Sequence, residues 1–414
     1  MPMYMRCVLA CMIALSVSLP AVAPAQQPPP LPPECQTDAL STNDQQYPVQ
    51  LILICLPDPW NGQLVVYAHG YVAPQEPLAL PLVELTQLAA NGQPIFTPLL
   101  SQGFAFATTS YRKNGYAIEQ GGSDLNALVE HFNTKVAPHL ATQVFVAGGS
   151  EGGLITTMLV ERYPDTYSGG LALCGPVGGA PYQIQYLGDF RVVFDYFFPE
   201  VFLFGAADVP SEAFEDWEST YVPAITQALQ SYPSATDQLF GVTHAARDPG
   251  DPTGSALTTA LDVLFYSIFG TNDLRATAGG RPYDNRFRLY LGSHDDIALN
   301  LGVERVKADR VAQRYVRRFY QPTGYLHRPL VTLHTLRDPA VPFIHELLYF
   351  GLVTLSGHGA NLTVLPVDRY GHCTFTAEEV LGAFTLLLLR SGEPVGAPLA
   401  HAQPSLQPTG QKDE

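Results

Sequence analysis

Short apolar runs alternate with amphipathic stretches over two parts of the chain, residues 60–175 and 327–390. Gln63–Ala68 (QLVVYA) and Phe104–Tyr111 (FAFATTSY) are rich in β-branched and aromatic residues and are bounded by His69-Gly70 and Gly103, which predicts strands. Leu125, Leu128, Val129 and Phe132 recur at helical spacing after Ser123, which is expected to cap that helix. A strand Gln143–Ala147 (QVFVA), a helix from Glu151 toward Tyr163 and a strand Gly170–Cys174 (GLALC) follow. The rhythm resumes with Pro329–Leu336 (PLVTLHTL), a helix from near Pro342 and the strand Leu362–Val367 (LTVLPV). The last helix opens on a capping box, Thr376-Ala-Glu-Glu379, and runs through Leu389. Near-continuous apolar strands between amphipathic helices predict an α/β fold with a mostly parallel, doubly wound sheet covered on both faces. Right-handed crossovers then bring every parallel strand's C-terminal end to one edge.

Residues 176–326 break this alternation and are expected to form a large, mostly helical cap inserted into a core of 35–175 and 327–390. Phe190, Phe194, Phe197 and Phe198 predict one helix, and Ser211 opens another that carries Phe214, Trp217 and Tyr221. Arg247–Gly254 and Gly279–Asn285 punctuate a stretch read as long and irregular. At the chain's ends, one positive charge in Met1–Arg6, an apolar run Cys7–Val22 and Ala23-Pro24-Ala25 predict a signal peptide (1–25) cut after Ala25. A Pro-rich linker (26–34) and a flexible tail (391–414) complete the organisation.

Composition narrows the function. Of 414 residues only 14% are charged, and 22 Lys+Arg against 38 Asp+Glu give a net charge of −16. Such a chain has no basic footprint for nucleic acid, and its 21 Tyr and 21 Phe exclude a disordered protein. Beyond the N-terminal segment no apolar run is long enough to span a membrane. Export would leave four cysteines, which allow three pairings. Cys35–Cys55 and Cys174–Cys373 are the pairings expected in an oxidising compartment, with buried free thiols as the alternative. No cofactor or metal pattern is present: zinc spacing is missing, and neither Asp295-Asp296 nor Asp248 with Asp251 has a calcium-loop spacing.

Gly148-Gly149-Ser150-Glu151-Gly152 lies between a strand and a helix, the context in which Gly-x-Ser-x-Gly presents a nucleophile. A serine hydroxyl needs a histidine to take its proton, and that histidine needs an acid to orient it. Asp338 follows PLVTLHTL and His372 follows LTVLPV, so both should emerge at the same sheet edge as Ser150. His358 precedes its strand, His345 sits within a helix and Asp368 is too close in sequence to orient His372. The backbone N–H groups of Tyr71, after His69-Gly70, and of Glu151 are the expected oxyanion donors.

With His-Gly after the third strand, Gly-x-Ser-x-Gly after the fifth, Asp-Pro-x-Val-Pro after the seventh and Gly-His before the last helix, the chain resembles the α/β-hydrolase fold superfamily. The likeness covers about 60–175 and 327–390. It implies Ser150 as nucleophile, His372 as base, Asp338 as acid, with Tyr71 and Glu151 as oxyanion donors. His372-Cys373 also resembles the tannase/feruloyl esterase group, in which a cysteine beside the histidine bridges to one beside the nucleophile. Gly149 stands in that second place here. A secreted, cofactor-independent serine hydrolase of carboxylic esters is the function expected. A serine exopeptidase or amidase, with Glu212, Glu215, Asp216 and Glu218 on a substrate amine, and a non-catalytic binding protein are the alternatives.

Overall fold

A computed structural model describes residues 31–87 and 94–392. The expected signal peptide, residues 26–30 of the linker and almost all of the tail lie outside these residues. Eight strands form one sheet: β1 (Cys35–Ser41), β2 (Val49–Cys55), β3 (Gln63–Ala68), β4 (Ala105–Thr109), β5 (Gln143–Gly149), β6 (Gly169–Leu173), β7 (Leu330–Arg337) and β8 (Leu362–Tyr370). Their order is β1-β2-β4-β3-β5-β6-β7-β8, and β2 alone runs against its neighbours. The six strands from β3 to β8 are parallel, as the apolar runs predict.

Residues of each strand alternate between two cores. Leu64, Val66 and Ala68 of β3 join the core that holds the Ile118–His131 and Glu151–Arg162 helices, while Val65 and Tyr67 join the one that holds the Ala377–Arg390 helix. Burial on both faces explains the near-continuous apolar runs of β3, β5 and β6. The Ala377–Arg390 helix begins with the expected capping box between Thr376 and Glu379. Cys35 pairs with Cys55 across directly opposed positions of β1 and β2, and Cys174 pairs with Cys373.

The Ile118–His131 helix starts five residues before Ser123, which lies inside it. Gly121 allows this early start. A Cβ there would sit 3.0 Å from the Tyr111 ring and 3.0 Å from the Ile155 methyl, so the glycine lets the helix lie close against its neighbours.

Between β6 and β7 the described chain is helical and without strands. The Ala180–Phe197 helix buries Phe190 and Phe194 completely. Ser211 precedes a single turn, Glu212–Glu215, and makes no side-chain cap bond. The stretch read as irregular contains a 27-residue helix, Pro252–Ala278, capped by the Asp251 carboxylate on the Gly254 N–H. Its apolar residues surround the axis instead of lining one stripe, which hides the helical period in the sequence.

Candidate active site

The site begins with a backbone constraint at the end of β5. Ser150 has φ 53° and ψ −120°, a region that L-residues occupy only when surrounding structure enforces it. The turn it makes is so tight that a Cβ on Gly152 would lie 2.0 Å from the Ala68 carbonyl oxygen. A Cβ on Gly148 would lie 2.4 Å from the Gly152 oxygen. Glycine at both positions is therefore a steric requirement of the elbow. The Ser150 N–H donates to Leu173 O of β6 at 2.9 Å, which ties the elbow to the neighbouring strand.

Asp338 emerges from β7 just past an irregularity in the β7–β8 register between Thr335 and Arg337. Its Oδ1 accepts the Ala340 and Val341 N–H groups at 2.9 and 2.8 Å, which fixes the carboxylate's orientation. Its Oδ2 lies 2.8 Å from His372 Nδ1, and His372 Nε2 lies 2.9 Å from Ser150 Oγ. With an acceptor at Nδ1, the proton resides there and Nε2 is free to accept the Ser150 hydroxyl proton. Asp338 is fully buried. Burial opposes its charge, yet the His372 and His334 rings hold its carboxyl down to about 2.

Behind Asp338 stands a second, wholly buried imidazole. His334 Nε2 is 2.8 Å from Val341 O and 3.5 Å from Asp338 Oδ2, while Nδ1 is 3.1 Å from Glu346 Oε1. Burial would strip its proton, but the Asp338 and Glu346 carboxylates raise it to about 10. The His372 loop is pinned on two sides. Thr335 Oγ1 donates to Gly371 O at 2.6 Å, and the Cys373–Cys174 disulfide ties it to the end of β6.

The loop after β3 closes the other side. A Cβ on Gly70 would sit 3.4 Å from the Ser150 Cβ, so His69-Gly70-Tyr71 runs directly beside the serine. Half-buried Glu84 accepts the Gly70 N–H at 3.2 Å and the Tyr67 hydroxyl at 2.6 Å. The His69 ring stacks on Tyr111 at 3.8 Å with Nδ1 2.7 Å from Gly70 O, and burial lowers its proton affinity. The next N–H along, Tyr71, and the N–H of Glu151 at the first turn of the following helix have no partner among the described residues.

Ser150, Asp338 and His372 thus follow β5, β7 and β8 and meet at the edge formed by those strands' C-terminal ends, in a sheet in which only β2 runs antiparallel. The chain has the α/β-hydrolase fold. No family model matches the sequence, and no curated protein does. Similar solved structures include an acylaminoacyl peptidase of Pyrococcus horikoshii, at 10% identity and TM-score 0.43, over 89% of this chain and 43% of that one. An esterase of Pyrococcus furiosus aligns at 14% identity and TM-score 0.45, over 86% of this chain and 90% of that one. The esterase Est1E of Butyrivibrio proteoclasticus aligns at 12% identity and TM-score 0.37, over 86% and 99%. This chain spans less than half the length of the peptidases it matches, 43% and 36% in two of them.

The other candidates lie elsewhere. His358 precedes β8 at the far edge, and His345 is buried in the Ile344–Leu355 helix with Nε2 on Gln183 Oε1 at 3.0 Å. Asp368 pairs with Arg337 at 2.7 Å. Glu212, Glu215, Asp216 and Glu218 are all exposed to solvent. Asp248, Asp251, Asp295 and Asp296 accept backbone N–H groups of their own turns. Among the described residues the one grouping with metal-ligand proximity is Cys174, His372 and Cys373, whose two cysteines form the disulfide. Sequence reasoning missed Glu84, His334 and Asp262. Glu84 lies on a six-residue helix, His334 reads as one more strand position, and Asp262 belongs to the helix whose period is hidden.

Proposed function

We propose that this chain is a secreted serine hydrolase that cleaves carboxylic esters through an acyl-enzyme. Ser150 is the nucleophile, His372 the base and then the acid, and Asp338 the group that holds the imidazole. Residues 35–175 and 327–390 act as the catalytic core and 176–326 as the cap. The observation that carries the reading is the unbroken hydrogen-bond chain Ser150–His372–Asp338, mounted on a serine held at positive φ.

Ser150 Oγ adds to the ester carbon while His372 Nε2 takes its proton. The carbonyl electrons move to oxygen, where the Tyr71 and Glu151 N–H groups receive them. A donor of this kind is worth roughly 3–4 kcal/mol in the transition state. The tetrahedral intermediate collapses as His372 returns the proton to the departing alkoxide. Water, deprotonated by the same imidazole, then releases the acid and restores Ser150. Two formed disulfides suit an exported protein.

Fluorophosphonate labelling combined with a panel of p-nitrophenyl esters, aryl esters and aminoacyl anilides tests this. Labelling is expected in the native protein and absent in Ser150→Ala. Asp338→Asn should lower kcat about 10⁴-fold, because the amide favours the wrong imidazole tautomer. Near-normal turnover in Asp338→Asn, or labelling that survives loss of Ser150, refutes the assignment. Faster cleavage of aminoacyl anilides than of esters would mark an exopeptidase instead.

A further inference from the structure

The Pro252–Ala278 helix overhangs the Ser150 edge, and its contacts show which face it turns toward that edge. Thr259 Oγ1 lies 2.8 Å from the hydroxyl of Tyr370, two residues before His372. Tyr266 sets its ring edge-on to Tyr71 in the oxyanion loop, with centroids 5.5 Å apart. Asp262 is three residues after Thr259 and four before Tyr266, so it shares their face between these two anchor points. His372 lies two residues beyond the first anchor, and Ser150 lies against Gly70, the residue before the second.

Asp262 has no hydrogen bond or ion pair among the described residues, although most of its surface is covered. Burial pushes its carboxyl up to about 6, His372 counters this and Asp338 adds to it, so it is ionised at neutral pH. The groups that feel its charge are His372, Asp338 and the hydroxyls of Tyr186, Tyr266 and Tyr370. The Tyr71 hydroxyl is likewise buried and without a partner. A carboxylate missing its cation, among tyrosine rings and next to a reactive serine, leaves one chemical complement unfilled: an ammonium group, which carboxylates pair with and aromatic walls attract.

We propose that Asp262 is the recognition group for a cationic substrate, an ester that carries an ammonium group on its acyl or its alcohol part. This rests on the hydrolase reading given above. The net charge of −16 would further enrich such substrates around the protein.

The test compares each cationic ester with its neutral carbon isostere: a thiocholine ester against the 3,3-dimethylbutyl thioester, and a 4-(trimethylammonio)butyryl p-nitrophenyl ester against the 5,5-dimethylhexanoyl one. In the wild type kcat/KM should favour the cation by about 10- to 30-fold in at least one pair. The ratio should fall toward one in Asp262→Asn and in Asp262→Ser, and rise again in Asp262→Glu. A wild-type ratio near one in both pairs overturns the proposal. So does a ratio that survives in Asp262→Asn, which would mean that another group recognises the cation. If none of these esters turns over, the rate of fluorophosphonate labelling is followed instead. Tetramethylammonium should slow it in the wild type and not in Asp262→Asn, and equal rates in both overturn the proposal. A protein that fluorophosphonate never labels at Ser150 fails the hydrolase reading itself, a result separate from any of these ratios.

Discussion

Replacing Glu151 with Gln should make the protein more stable, by an amount that grows as pH rises above about 4.5 and levels off above about 8. Glu151 follows Ser150, the proposed nucleophile, is 6% exposed and accepts the Ala117 N–H at 2.9 Å. Burial pushes its carboxyl from 4.5 to about 8, against the pull of the Ala117 N–H and of Lys113. The native state therefore keeps a proton that the unfolded chain gives up above pH 4.5. Stability from this group falls as pH rises through that window and levels off once the native carboxyl has ionised as well. At roughly 1.4 kcal/mol per pH unit the full gap is worth about 5 kcal/mol. Relaxation around the charge makes about 2–5 kcal/mol the expected range. Glutamine keeps the bond to Ala117 and never ionises. Urea unfolding of both proteins at about pH 5 and about pH 8.5 measures the difference. Glu151→Gln should gain those kilocalories relative to wild type between the two conditions. Parallel pH profiles would mean that Glu151 is already ionised in the fold at neutral pH, and the reasoning would fail.

Two further outcomes follow from the elbow and its clamp. Gly152→Ala puts a Cβ 2.0 Å from the Ala68 carbonyl oxygen, so it should express as aggregate or lose at least about 3 kcal/mol of stability; a soluble variant with the wild-type urea midpoint contradicts the geometry. Removing the Cys174–Cys373 bridge, as the double serine variant, opens a closure of 199 residues. The chain-entropy estimate is roughly 5 kcal/mol. Because Cys373 adjoins His372, ester turnover measured well below the melting temperature should fall too. Unchanged kcat would mean that the Thr335–Gly371 bond positions the histidine without help.

What the sequence disclosed and what it hid divide along the sheet edge. Ser150, Asp338 and His372 stand just beyond three parallel strands. Parallel strands buried on both faces announce themselves as short apolar runs, so the residues that follow them can be placed together without coordinates. The capping box at Thr376 and the opposed cysteines of β1 and β2 were legible for the same reason, since each depends on local spacing. The Pro252–Ala278 helix was not, because a helix wrapped by apolar contacts has no polar stripe to betray its period, and its glycines and threonines resemble loop punctuation. With the helix went Asp262. His334 was hidden differently: it occupies an inward strand position where an apolar residue is the norm, and only packing reveals that it faces two carboxylates. The exposed acids Glu212 to Glu218 drew notice because they are clustered, whereas Asp262 is a single residue in an apolar run. The groups proposed to break the bond are thus fixed by strand ends, which sequence patterns report well. The groups proposed to choose the substrate ride on helices packed all round, whose facing only tertiary contacts can reveal.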